Sequence, residues 1–96
     1  MLVVSSRYTR PLEEVDRFRS AHLGWVGAHV EAGRVLLAGR RTPPDGAILL
    51  LSDVAADEVA AFFATDPYVL GGVAEYEAVG EFTPGLAAPG LQALVG

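Results

Sequence analysis

Five consecutive apolar residues, Ala47-Ile48-Leu49-Leu50-Leu51, constrain this chain more than any other stretch. The run is bounded by Thr42-Pro43-Pro44-Asp45-Gly46 on one side and Ser52-Asp53 on the other, so it is short and reads as a strand. Side chains on a strand alternate between the two faces of its sheet. An apolar residue at every position therefore leaves both faces in need of cover, which a strand with one solvated side would not favour. A chain of 96 residues makes one domain with one core, so helices can cover one face. For the other face, a second copy of the chain is the simplest cover.

The remaining segments set this strand in a recognisable order. Leu2 to Tyr8 is a β-branched strand whose faces, Leu2-Val4-Ser6-Tyr8 and Val3-Ser5-Arg7, both begin apolar and end polar. Leu12 to Ala32 has helical spacing, with Pro11 pre-setting the first turn, Glu13, Glu14 and Asp16 at its positive end, and Gly33 as the stop. Arg34 to Arg41 pairs with the apolar strand as a hairpin. Ser52-Asp53 is positioned to cap a second helix from about Val54 to Ala64. Asp66 caps a short helical piece that begins at Pro67 and ends near Leu70, before Gly71-Gly72. In the last strand, Val73 to Thr83, one face carries Ala74, Tyr76, Ala78, Gly80 and Phe82; the other carries Glu75, Glu77 and Glu81.

The order β-α-β-β-α-β predicts an α+β, ferredoxin-like antiparallel sheet with both helices on one face. Two such sheets packed face to face would form a dimeric α+β barrel. The domain is expected to span residues 1-84. Residues 85-96 form a Gly-, Ala-, Leu- and Pro-rich C-terminal extension, with Leu86, Leu91 and Leu94 available to pack on the body or a partner.

Composition removes several functions. The chain has seven arginines, no lysine, twelve acidic residues and a net charge of −5, with only Arg40-Arg41 as a basic pair, so nucleic-acid binding is not expected. No apolar run reaches the roughly 20 residues of a membrane span. With no signal-peptide core, the expected location is the cytoplasm. Without cysteine there is no disulfide, zinc-thiolate site or cysteine nucleophile. No Gly-x-Ser-x-Gly elbow or nucleotide-type glycine loop occurs, so no cofactor is expected.

One residue stands out on the first helix. Val15, Phe18, His22, Val26 and His29 share a narrow face, with Trp25 at its margin. A histidine near the centre of such a face is either a satisfied core residue or a proton carrier facing a cleft. Asp66 is a possible partner, since the two helices would lie side by side. A carboxylate beside an imidazole orients its tautomer and favours proton transfer, although Asp before Pro is also explained by capping alone. His29 is about 10 Å along the helix from His22, too far for routine joint ligation of a metal, and is expected to be core or interfacial. Trp25 and Phe18 read as packing residues. At the end of the first strand, one polar pair, Ser6-Tyr8 or Ser5-Arg7, could hold a substrate carbonyl or carboxylate; a solvated strand end is the alternative.

Four segments resemble the YCII-related family: Arg19-Ser20-Ala21-His22-Leu23-Gly24-Trp25, Glu31-Ala32-Gly33-Arg34-Val35-Leu36-Leu37-Ala38-Gly39, Asp66-Pro67-Tyr68-Val69-Leu70-Gly71-Gly72-Val73 and Phe82-Thr83-Pro84. The resemblance implies a ferredoxin-like, dimeric α+β barrel. It also implies that His22 and Asp66 occupy the positions of the family's histidine–aspartate pair. Some relatives are dehalogenating or lactone-processing enzymes acting on muconate-like compounds. Where many relatives have Gly-Pro after the second strand, this chain has Gly39-Arg40. The leading expectation is a small cofactor-independent enzyme in which His22 is the general acid or base and Asp66 its orienting partner. Its substrate would be a small organic carboxylate or lactone, with Ser6, Arg7 and Tyr8 as candidate binding residues. The alternatives are a non-catalytic binder of small ligands and an interaction domain whose histidine is merely buried.

Overall fold

The computed structural model describes residues 1–96. In chain order the elements are β1 (Leu2–Tyr8), α1 (Leu12–Asp16), α2 (Arg19–Glu31), β2 (Val35–Arg40), β3 (Gly46–Leu51), α3 (Val59–Phe62), α4 (Pro67–Leu70) and β4 (Ala74–Glu81). Short 3₁₀ turns lie at Ala56–Glu58 and Gln92–Leu94. The four strands form one antiparallel sheet in the order β2-β3-β1-β4, the ferredoxin-like arrangement. No helix is long and apolar enough to cross a membrane.

One face of the sheet is the core. Leu2 and Val4 from β1, Val35 from β2, and Leu49 and Leu51 from β3 pack against Val26, Val59 and Phe63 from the helical layer. Burying each such side chain contributes about 1.5–3 kcal/mol. A smaller cluster of Val15, Tyr68, Val73 and Ala74 continues this layer toward the C-terminal end of β1. At Gly46 a Cβ would lie 1.9 Å from the Ser6 carbonyl oxygen of the neighbouring β1, so only glycine fits. On the opposite face Ile48 and Leu37 remain exposed and Val3 and Leu50 half-buried, and nothing in the chain covers them.

The helical layer departs from the periodicity in two places. The expected helix from Leu12 to Ala32 is two helices, broken at Arg17-Phe18. There the Arg17 and Phe18 N–H groups donate to the Glu14 and Val15 carbonyls, tightening the turn into three-residue spacing. The break sets the Phe18 ring against Gly71, where a Cβ would lie 2.7 Å from the ring. The second helix is also shorter than Val54 to Ala64. Ser52-Asp53 does not cap it. The chain bends there, with Asp53 at a φ of 60°, and is extended again at Ala55; Val54 packs on the core, and the turn begins only when the Glu58 carboxylate accepts the Ala55 N–H at 2.9 Å.

A third departure lies in β4. A bulge sets Val4 opposite Ala78 but Val3 opposite Gly80, leaving Val79 as the extra residue. The alternation shifts by one position, so Gly80 no longer shares the face of Ala74 and Tyr76. Glu81, expected beside Glu75 and Glu77, turns to the helical side and accepts the Ala56 N–H at 2.6 Å. In the tail, Leu86 is 96 % exposed and does not pack on the body, whereas Leu94 is half-buried.

Candidate active site

Asp66 stands in extended geometry ahead of Pro67, the first residue of α4, and its Oδ1 accepts the Tyr68 N–H at 3.0 Å. A cap of this kind normally sits at the surface, yet Asp66 is fully buried. Burying a carboxylate is costly unless its oxygens are hydrogen-bonded. Two further donors supply this: His22 Nδ1 of α2 lies 2.7 Å from Oδ1, and the Tyr76 hydroxyl of β4 donates to Oδ2 at 2.5 Å. Burial, reinforced by the bond to Asp66, raises the Tyr76 hydroxyl well above the usual tyrosine range and keeps it a donor.

The His22 ring is held from a second direction. It stacks on Tyr68 with ring centroids 3.7 Å apart and planes 5° from parallel. An ionised carboxylate only accepts, so the neutral imidazole bonded to it carries its proton on Nδ1. Nε2 makes no hydrogen bond within the protein, and the ring lines a cavity of about 430 Å³. That volume is within the range of small-molecule sites.

The cavity walls are mostly apolar, with Leu23, Val26 and Val30 of α2 facing Leu36 and Leu49 of the sheet. Tyr8, Tyr68 and Tyr76 supply polar tips, Arg19 and Arg40 supply charge, and no acidic side chain contributes. Arg40 is anchored: Nη2 donates to Asp16 Oδ1 at 2.6 Å and Nε to the Tyr8 hydroxyl at 3.0 Å. Burial opposes its charge, but these hydrogen bonds outweigh it and raise its pKa further. Arg19 makes no ion pair.

Of the residues read from the sequence, His22 and Asp66 are in direct contact, and Tyr8 shares their cavity. Ser6 is buried on the same sheet face, where its hydroxyl accepts the Ala47 N–H at 2.9 Å. Arg7 points to the other face of the sheet and pairs with Glu75 at 2.7 Å. His29 is half-buried between Trp25 and Phe62, with centroid separations of 4.4 and 4.6 Å. Burial, and then the charge of Arg34, lowers its pKa. No three His, Asp or Glu side chains are grouped to hold a metal. The sequence reading passed over Tyr68, Tyr76, Arg19 and Arg40 as site residues. Tyr76 did carry a signal, since a tyrosine on the buried face of β4 needs a partner for its hydroxyl.

A family model described as the YCII-related domain matches residues 1–83. Among solved structures, the chain is similar to the 5-chloro-2-hydroxyhydroquinone dehydrochlorinase of Burkholderia phenoliruptrix, in complex with 2,5-dihydroxybenzoquinone. The TM-score is 0.63 at 21 % identity, over 88 % of this chain and 96 % of that one. No curated protein matches the chain in sequence.

Proposed function

The chain belongs to the YCII-related family, and from that premise we propose that it is a small enzyme performing general acid–base chemistry without a cofactor. His22 is the proton carrier and Asp66 orients it. The substrate is a small organic carboxylate or lactone bound in the cavity, within a cytoplasmic homodimer. The observation that carries this reading is the His22–Asp66 contact of 2.7 Å, with Nε2 free on the cavity wall. In the neutral tautomer Nε2 has a lone pair available to take a proton from the substrate. The imidazolium that results keeps its Nδ1–H on Asp66, and the proton on Nε2 can then be returned to the substrate or given to a leaving group. Such a cycle supports isomerisation, elimination and ring opening alike. The similar fold of a dehydrochlorinase is compatible with elimination.

The second copy is proposed to cover the outer sheet face, where Leu37 and Ile48 are 63 % and 44 % exposed. Sedimentation of wild type and Ile48→Glu would test this, with a dimer expected for the first and a monomer for the second.

The functional test is turnover, followed by NMR, of a panel of small lactones, unsaturated carboxylates and chlorinated hydroxyquinones. Wild type should convert at least one compound, and His22→Asn should lose about 10²–10⁴-fold in rate. Binding without turnover would assign the cavity to a non-catalytic binder. Turnover undiminished in His22→Asn would remove the histidine from the chemistry.

A further inference from the structure

The chain carries twelve acidic residues against seven arginines, yet the cavity beside His22 is lined by two arginines and no carboxylate. Such an inversion of local charge inside an anionic protein requires a reason. Asp16 balances part of it through Arg40 but does not itself line the cavity. Asp66 is fully buried, with both oxygens taken by His22, Tyr68 and Tyr76.

Arg40 is built in rather than free. Asp16 of α1 and Tyr8 of β1 hold its Nη2 and Nε, and its guanidinium carbon lies 5.5 Å from the centre of the Tyr8 ring. These contacts use two of its five N–H groups. The side chain is 22 % exposed, and it lines the cavity. A guanidinium fixed in this way, with donors to spare, matches an anionic oxygen group without losing side-chain freedom on binding. Arg19, on the first turn of α2, lines the same cavity with no acidic partner of its own.

We infer that Arg40, assisted by Arg19, forms an anion-selecting subsite, so that the cavity takes small organic anions with an apolar or conjugated body in preference to neutral molecules of the same shape. This rests on the reading of the cavity as the substrate site, and it chooses the acid over the neutral lactone. The apolar walls bind the body, Arg40 the anionic group, and His22 Nε2 faces the part of the ligand between them.

Benzoate and benzamide, nearly equal in shape and different in charge, are the probes, with affinities read by NMR titration. Wild type should bind benzoate about tenfold tighter than benzamide, the scale of one charge-assisted hydrogen-bond pair. Arg40→Gln should lose most of that preference while binding benzamide as before, which also reports that the cavity is intact. Arg40→Lys should retain part of it. In His22→Asn the preference should persist. Equal binding of the two probes by wild type, no binding of benzoate at millimolar concentration, or a preference that survives Arg40→Gln would each overturn the subsite. None of these readouts requires turnover, so they stand or fall separately from the acid–base role of His22.

Discussion

His22 lies flat on Tyr68, and the backbone N–H of that same tyrosine shares Asp66 Oδ1 with His22 Nδ1. One residue thus fixes the imidazole by its face and helps to fix the carboxylate that holds its edge. The ring is left with one free atom, Nε2, and little freedom to turn.

Asp66 does two things that substitution can separate. Asn caps helices nearly as well and its one oxygen can stay on His22 and the Tyr68 N–H, so Asp66→Asn should keep the cap, lose the charged bond to Tyr76 at about 1.5–3 kcal/mol, and lose turnover. Asp66→Ala loses the cap, worth about 0.5–2 kcal/mol, and should be clearly destabilised. It also leaves His22 Nδ1 and the Tyr76 hydroxyl without their partner, at about 1–3 kcal/mol for each group that stays buried and unsatisfied. Equal stability of the two variants in urea would show that Asp66 holds neither the helix nor its neighbours.

Tyr76→Phe isolates one hydroxyl. The ring stacks on Phe63 with centroids 3.8 Å apart and planes 5° from parallel, and phenylalanine keeps that packing. What is lost is the donor to Asp66 Oδ2, a hydrogen bond to a charged group worth about 1.5–3 kcal/mol. Urea unfolding should register a loss of that size. A change near zero would mean that water replaces the hydroxyl.

His29 gives the fold a pH dependence of defined sign. Its folded pKa lies below the ordinary 6.5 because burial and the nearby Arg34 disfavour the charged ring. The unfolded chain therefore binds this proton more readily, and stability rises with pH across that window. The contribution is intact above 6.5 and is lost as pH falls toward the lowered value. Thermal melts between pH 7.5 and pH 5 should show the decline, and His29→Gln should flatten it.

Gly71→Ala tests the packing of Phe18, at the break between α1 and α2, against Gly71. The new methyl would lie 2.7 Å from the Phe18 ring, and the Phe18 carbonyl accepts the His22 N–H at 2.9 Å. Overpacking of this kind costs about 1–3 kcal/mol. Phe18→Leu in the same chain should recover part of the loss, seen as a partial return of the melting temperature. No recovery would place the strain elsewhere.

The strands and the Asp66-Pro67 start were legible because they depend on local chemistry: period-two alternation, turn residues and a cap followed by proline. The break at Arg17-Phe18 was not, because it fits Phe18 against Gly71, 53 positions further along and just past the end of α4, a contact that no local spacing encodes. The bulge at Val79 was hidden in the same way. It is a relation between two strands, and it moved Glu81 to the face opposite the one its spacing indicated. At the site, the histidine and aspartate were visible as residue types in an informative setting. Arg40 was read as half of a basic pair at a strand end, since only the pairing of β2 with β3 and the tie to Asp16 bring it to the cavity.

Asp66 receives one donor from α2, one from α4 and one from β4. Helix α2, 44 positions away, thus closes on the same carboxylate as the neighbouring α4 and β4, and each element that opens takes a donor from it. A form in which α2 has opened has no His22–Asp66 contact, and one in which β4 has opened has lost the Tyr76 donor. Along a denaturant series, turnover should disappear in step with the global unfolding transition rather than ahead of it, making catalysis itself a gauge of how much of the population is native.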